Sequence, residues 1–162
     1  MRIFVDTSAI YALIVPEDAN HSLAVHCFQQ LLEECDATLV SSNYVLLECS
    51  SLIKKRHGFE PAKRFLDKIN NTLEVFWVTQ LEHQEAVIIW SEARDKNLSL
   101  VDCTSFVLMR QQKIQHAVAF DADFEKAGFI LLPKKVDENQ INEVRVPYHA
   151  KKTDRRLRSR RR

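Results

Sequence analysis

The chain has 162 residues, 46% hydrophobic and 28% charged, values ordinary for one globular domain whose core needs no disulfide or metal to fold. Two glycines and four prolines exclude collagen-like, linker-like and low-complexity classes, and two glycines are too few for a phosphate-cradling Walker or dinucleotide loop. The net charge of +1 conceals two electrostatic objects, since residues 151–162 carry +7 and the other 150 carry −6. The acidic body cannot attract nucleic acid by net charge, so any such role needs local Lys and Arg, the tail, or bound cations.

In chain order, Ile3 to Val5 predicts a short strand ending on Asp6, and Thr7 to Ile14 a short helix stopped by Pro16. Asn20 caps a helix to about Glu34, with Leu23, Cys27, Leu31 and Leu32 on one side. Thr38 to Ser41 predicts a buried strand. Ser42 or Asn43 caps the next helix, which runs to about His57 and ends at Gly58. Pro61 fits the first turn of a helix to about Asn71, and Leu73 to Val78 predicts a strand. Thr79 or Gln80 opens a long helix to about Lys96, and Asp102 opens another to about Lys113. His116 to Phe120 is a strand ending on Asp121, and Phe129 to Leu132 is the last strand before Pro133.

Short apolar strands separated by helices indicate an α/β class, with a mainly parallel sheet covered on both faces. The expected organisation is a domain over residues 1–133, an irregular extension over 134–150 and a basic, disordered tail over 151–162. Cys27, Cys35, Cys49 and Cys103 show no CxxC spacing and fall in apolar stretches, so thiols in a reducing cytosol are expected. The opening residues do not form a signal peptide, and no run approaches the roughly 20 apolar residues of a membrane span. A cytoplasmic protein is the expectation.

Ligands of a parallel α/β sheet bind at the carboxyl ends of its strands. Asp6 and Asp121 end predicted strands there, Asp102 begins a helix after Leu100 and Val101, and Asp123 lies two residues past Asp121. Each alone reads as a helix cap or a turn residue. Accumulated at one sheet edge, they repel and cost stability unless a cation joins them. Glu48 falls inside the apolar stripe formed by Tyr44, Val45, Cys49 and Leu52, where a carboxylate needs a partner. A buried salt bridge would provide one; so would a metal. Carboxylates without a Cys or His cluster make a hard oxygen site suited to Mg²⁺ or Mn²⁺, and such a site suits phosphodiester hydrolysis.

The residues carry a family resemblance. Ile-Phe-Val-Asp6-Thr7-Ser8-Ala, Ser-Asn-Tyr-Val-Leu-Leu-Glu48, Ser-Leu-Val-Asp102-Cys-Thr-Ser-Phe and Ala-Phe-Asp121-Ala-Asp123-Phe-Glu-Lys-Ala-Gly-Phe occur in order. In them the chain resembles the PIN domain, and within it the VapC-type ribonuclease toxins of bacterial toxin–antitoxin pairs, over about residues 1–133. The resemblance implies a three-layer α/β/α fold and a Mg²⁺- or Mn²⁺-dependent endoribonuclease. It implies Asp6, Glu48, Asp102 and Asp121 as metal ligands, with Asp123 beside them as a supporting or ligating residue. Thr7 would orient a ligand or a metal-bound water. It further implies RNA substrates such as transfer or ribosomal RNA, a small protein antitoxin and a homodimer. The segment from Lys134 to Arg162 departs from the compact toxins.

Other features carry blander readings. Lys54, Lys55 and Arg56 read as a solvated helix end that complements the dipole. Trp77 and Trp90 read as core or interface residues, and none of the six histidines is assigned a role. A haloacid dehalogenase-type phosphatase wants a second Asp where Ser8 stands, and a receiver domain wants paired acids near the first strand. A catalytically silent binding module, with RNA held by the Arg-rich tail, is the competing class.

Overall fold

The computed structural model describes residues 1–33, 37–69 and 72–133. The expected helix ends at Glu34 and Asn71, Cys35, the extension 134–150 and the tail 151–162 lie outside the described residues. The elements run β1 (Arg2–Val5), α1 (Thr7–Ile14), α2 (His21–Glu33), β2 (Thr38–Ser42), α3 (Asn43–His57) and α4 (Phe59–Ile69). They continue with β3 (Glu74–Phe76), α5 (Gln80–Ala93), α6 (Leu100–Gln111), β4 (His116–Val118), α7 (Asp123–Lys126) and β5 (Ile130–Leu132).

The five strands form one sheet in the order β3-β2-β1-β4-β5, and every pairing is parallel. The register sets Phe4 against Val40 on one side and against Ala117 on the other. Ile3, Phe4 and Val5 of this middle strand are wholly buried, which explains their unbroken apolar run. Connections from β1 through β2 to β3 step one way across the sheet, and the connection from β4 to β5 steps the other way. Right-handed crossovers then place α1 to α4 on one face and α5 to α7 on the other, giving three layers. The direction reverses between β1 and β4, which opens a crevice at their carboxyl ends.

Sequence-coded stops set most helix boundaries. The Ser42 side chain accepts a hydrogen bond from Val45 N–H to start α3, and Gly58 ends it with φ at +93°, a conformation a Cβ would strain. Thr79 starts α5 through a reciprocal pair with Glu82. The helix stops at Ala93 rather than Lys96, because Arg94 turns left-handed and the Asp95 side chain accepts from Asn97 N–H to form a turn.

Four expectations are corrected. The buried stripe of α2 is Ala24, Cys27, Phe28 and Leu31, while Leu23 and Leu32 face out, since Phe28 and Ala24 center the stripe one position round the helix. α6 begins at Leu100 with Ser99 as its cap, so Asp102 sits inside the first turn. β4 closes at Val118, and Asp121 follows in the turn beyond it. Trp77 is 77% exposed and Trp90 47%, which removes the core half of the core-or-interface expectation and leaves the interface half standing; the Trp90 indole donates to Leu98 O at 3.0 Å. The core aromatics are instead Phe4, Phe106, Phe124 and Phe129, with Phe106 edge-on to Phe124 at 5.0 Å.

Candidate active site

Asp6 leaves β1 at the crevice. Its backbone N–H donates to Val118 O at 3.0 Å, extending the ladder with β4, and its side chain caps α1. Oδ2 accepts from Ser8 N–H at 2.9 Å and from the Ser8 hydroxyl at 2.6 Å. The Ser8 hydroxyl in turn accepts from Phe120 N–H at 3.0 Å. One small side chain thus ties the end of β1 to the segment that carries Asp121. The residue stands where a phosphatase pattern would need Asp, and only its failure to match was legible; its bridging role needs the β1–β4 pairing to be seen.

Burial pushes the Asp6 carboxyl up to about 6, against the opposing pull of the Ser8 hydrogen bonds, and the nearby Asp102 charge pushes the same way. Thr7, also buried, donates its hydroxyl to Glu48 Oε2 at 2.6 Å. That bond joins α1 to α3 and orients the half-buried Glu48. The wholly buried Cys49 thiol is pushed up to about 12, first by desolvation and then by the charges of Asp6 and Glu48.

Asp102 is held by a reciprocal cap. Its Oδ2 accepts from Ser99 N–H at 2.8 Å, and its own N–H donates to Ser99 Oγ at 3.0 Å. The spacing Ser99-x-x-Asp102 is the sequence signal for this device. Desolvation raises the Asp102 carboxyl, and the charges of Asp121 and Glu48 add to that rise. Asp102 is therefore within electrostatic reach of Asp6, Glu48 and Asp121, which come from the β1–α1 junction, α3 and the turn after β4.

Asp121 is exposed, and its Oδ1 accepts from Asp123 N–H at 2.9 Å. Asp123 differs. It is buried, opens the short α7 where the sequence predicts a turn, and pairs with Lys126 Nζ at 2.5 Å. Among the described residues the ion pairs are Arg2 with Glu74 and Lys126 with Asp123, so none of Asp6, Glu48, Asp102 or Asp121 has a cationic partner there. The buried salt bridge that would have explained Glu48 blandly is absent among the described residues; a threonine hydroxyl takes its place. Among the described residues, no three His, Cys, Asp or Glu side chains already stand close enough to hold a metal ion. The donor chemistry still fits a hard divalent cation, being four hard-oxygen carboxylates that form no ion pair among the described residues.

Histidine positions acquire structural duties instead. His83 Nδ1 lies 3.2 Å from Tyr44 Oη, His57 Nε2 lies 2.9 Å from Tyr11 Oη, and His21 Nδ1 lies 2.8 Å from Ala12 O. Away from the acids, an apolar trough of about 750 Å³ is lined by Val5, Ile10, Phe28, Ile53 and Phe65 among others. Its lining also includes the acidic Glu17 and Glu33 and, from α4, the basic Arg64 and Lys68. No helix among the described residues is long and apolar enough to cross a membrane.

Comparison with known proteins agrees with this architecture. The PIN domain family model matches residues 3–130. The 23S rRNA-specific endonuclease VapC20 of Mycobacterium tuberculosis is 35% identical over 134 residues, covering 79% of this chain and 95% of its own length. The crystal structure of that protein, described as a sarcin–ricin loop cleaving toxin, superposes with a TM-score of 0.70 at 34% identity, covering 79% of this chain and 96% of the other. VapBC2 from Rickettsia felis, bound to a DNA fragment of its promoter, shares the fold at a TM-score of 0.57 and 17% identity over 81% of this chain and 97% of its own. FitAcB from Neisseria gonorrhoeae does so at 0.61 and 14%, over 81% of this chain and 96% of its own. By its fold, its family match and its likeness to VapC20, the chain belongs to the PIN domain family.

Proposed function

We propose that the chain is a divalent-metal-dependent endoribonuclease, the toxin of a toxin–antitoxin pair, working in the cytoplasm. The observation that carries the reading is the gathering of carboxylates at the switch point of the sheet, where Asp102 is electrostatically coupled to Asp6, Glu48 and Asp121 and none of the four forms an ion pair among the described residues. Asp6, Glu48, Asp102 and Asp121 would hold Mg²⁺ or Mn²⁺. The ion would supply an activated water and neutralise the scissile phosphate. Ser8 fixes Asp6, Thr7 aims Glu48, and the Ser99 cap sets Asp102. Asp123 supports the site through its N–H to Asp121, its own carboxylate being taken by Lys126.

The likeness to a 23S rRNA-specific endonuclease supports ribosomal RNA as the substrate class. The nuclease domain is residues 1–133, followed by the extension 134–150 and the basic tail 151–162. The apolar trough, lined mostly by apolar side chains with charges of both signs among them, supports an amphipathic antitoxin segment as partner. The exposed Leu81, Ile88 and Trp90 of α5 support a homodimer. Buried thiols at Cys49 and Cys103 suit a reducing compartment.

The test incubates purified protein with total RNA, with Mg²⁺, Mn²⁺ or chelator, and with Asp6→Asn as control. Discrete metal-dependent fragments absent from the control are expected. The competing reading, a catalytically silent RNA- or protein-binding module, has one observation in its favour, because Asp102 and Asp123 already commit oxygens to Ser99 and Lys126. Metal-independent RNA binding without cleavage would establish that reading instead.

A further inference from the structure

Positive charge on the described surface is concentrated at the last turn of α3 and along α4. Residues 54–69 carry six Lys and Arg against Glu60 and Asp67, a net +4, whereas the rest of the first 150 residues carries −10. Lys54, Lys55, Arg56, Lys63, Arg64 and Lys68 are all exposed, and none forms an ion pair among the described residues. The helix dipole accounts for Lys54, Lys55, Arg56 and Lys68, which stand in the last turns of their helices. It does not account for Lys63 and Arg64, in the middle of α4.

One helix seam joins this surface to the acidic site. The Thr7 hydroxyl reaches Glu48, and one turn further along α1 the Tyr11 ring carries the Arg56 guanidinium, whose carbon lies 5.3 Å from the ring centre. Arg56 Nη1 also donates to Tyr11 Oη at 3.3 Å, and the same oxygen lies 2.9 Å from His57 Nε2. Tyr11 is buried, so the exposed Arg56 is seated on a fixed ring rather than free to swing. On α3 itself, Lys55 and Arg56 stand seven and eight residues past Glu48, back on its side of the helix and about 10–12 Å away. That span corresponds to about three nucleotides along one strand.

The acids at the sheet edge repel a polyanion, so a strand held there needs cations beside it. We propose that the end of α3 and the adjoining α4 form an RNA-backbone-binding surface, with Lys55 and Arg56 gripping phosphates a few nucleotides from the bond brought to Glu48. The inference rests on the ribonuclease reading for its substrate class, and it deepens that reading by naming where the flanking strand is held. Arginine suits the seated position because its planar fork binds phosphate oxygens in pairs while its face stays on the tyrosine ring. Such contacts position the strand and read no sequence.

The test compares the full chain with the full-length double variant Lys55→Gln, Arg56→Gln and with Lys113→Gln, an exposed cation outside this surface. A third protein, Lys55→Arg with Arg56→Lys, keeps both charges. Affinity for a structured ribosomal RNA fragment is measured in chelator across about 50–200 mM salt, and single-turnover cleavage in Mg²⁺ at limiting and saturating RNA. The double Gln variant is expected to bind about tenfold more weakly at the lowest salt, with the slope of log affinity against log salt shallower by about 2. Its loss of cleavage should appear at limiting RNA and be largely recovered at saturation, and the charge-keeping variant should recover the slope. Equal affinity and slope in the double Gln variant and the parent would overturn the surface while leaving the nuclease intact. An equal change in Lys113→Gln would also overturn it, by showing an effect of net charge alone. Unchanged RNA affinity with lost binding of a poly-glutamate peptide would overturn it in favour of an acidic protein segment. Weakened RNA binding in the double Gln variant, with no cleavage by any of the proteins, would keep the surface and remove the nuclease reading.

Discussion

The hydroxyl of Thr7 donates to Glu48 Oε2 at 2.6 Å, joining the first turn of α1 to the middle of α3. The bond aims a carboxylate that would otherwise be a half-buried charge on an apolar stripe. Thr7→Val keeps the shape and deletes the donor. Cleavage is expected to fall about ten- to a hundredfold, the usual effect of losing a group that orients a ligand. Thr7→Ser should restore most of it. Equal loss in both variants would mean that the residue serves packing alone.

Ser8 carries a larger structural share, because it serves Asp6 and Phe120 N–H together. Ser8→Ala leaves that N–H without its acceptor and should cost about 1–3 kcal/mol in denaturant unfolding. It should also move the Asp6 carboxyl further above its present value of about 6, since the lost hydroxyl favours the charged form. A titration followed by carboxyl-carbon NMR reads that shift directly, and an unmoved Asp6 would refute the assignment.

The raised Asp6 makes stability depend on pH with a defined sign. Unfolded, the group titrates near 3.8; folded, near 6. The folded state holds the extra proton between those values, so this contribution is complete below pH 3.8 and is lost as pH rises through 6. The loss is on the order of 3 kcal/mol for metal-free protein. Asp102 shifts in the same direction. Asp6→Asn should therefore be more stable than the parent at pH 8 without metal, with the difference shrinking toward pH 4, while cleavage disappears. Thermal melts of the two proteins at pH 4, 6 and 8 check this, and a parent more stable than the variant at pH 8 would contradict it.

Asp121 and Asp123 should separate cleanly. Asp121 couples to Asp102, whereas Asp123 pairs with Lys126. Asp121→Asn is expected to lower cleavage more than a hundredfold, about 2.7 kcal/mol or more of transition-state stabilisation. Asp123→Asn should lower it less than tenfold, and Lys126→Ala should have a similarly small effect. Reversed effects in a single-turnover assay would reassign the fourth acidic position.

What could be read before folding followed from local rules. Thr7–Ile14 was bounded by Asp6 and Pro16, and α3 by Ser42 and Gly58, because caps and stops are coded within a few residues. The stripe of α2 differs by one position from the pattern its leucines suggest, since Leu23 and Leu32 are apolar but Ala24 and Phe28 are the residues buried in the core. The start of α6 was placed at Asp102 because a strand-like Leu100-Val101 preceded it, although Ser99 three residues earlier already offered a cap. Ser8 and the Asp123–Lys126 pair were out of reach, as each depends on residues brought together only by the sheet or by a four-residue helix too short to show a period.

The middle strand of the sheet has a consequence for how the protein comes into being. Phe4 pairs with Ala117, more than a hundred residues later, and Asp6 gains its ladder bond only from Val118. Pairing so distant in sequence makes assembly slow and late. A growing polypeptide that has emerged only as far as α6 already contains Asp6, Glu48 and Asp102, yet lacks the neighbour strand that sets the first of them. Such a chain holds three of the four acids of the proposed site but lacks the pairing that fixes Asp6 until β4 has been made and released.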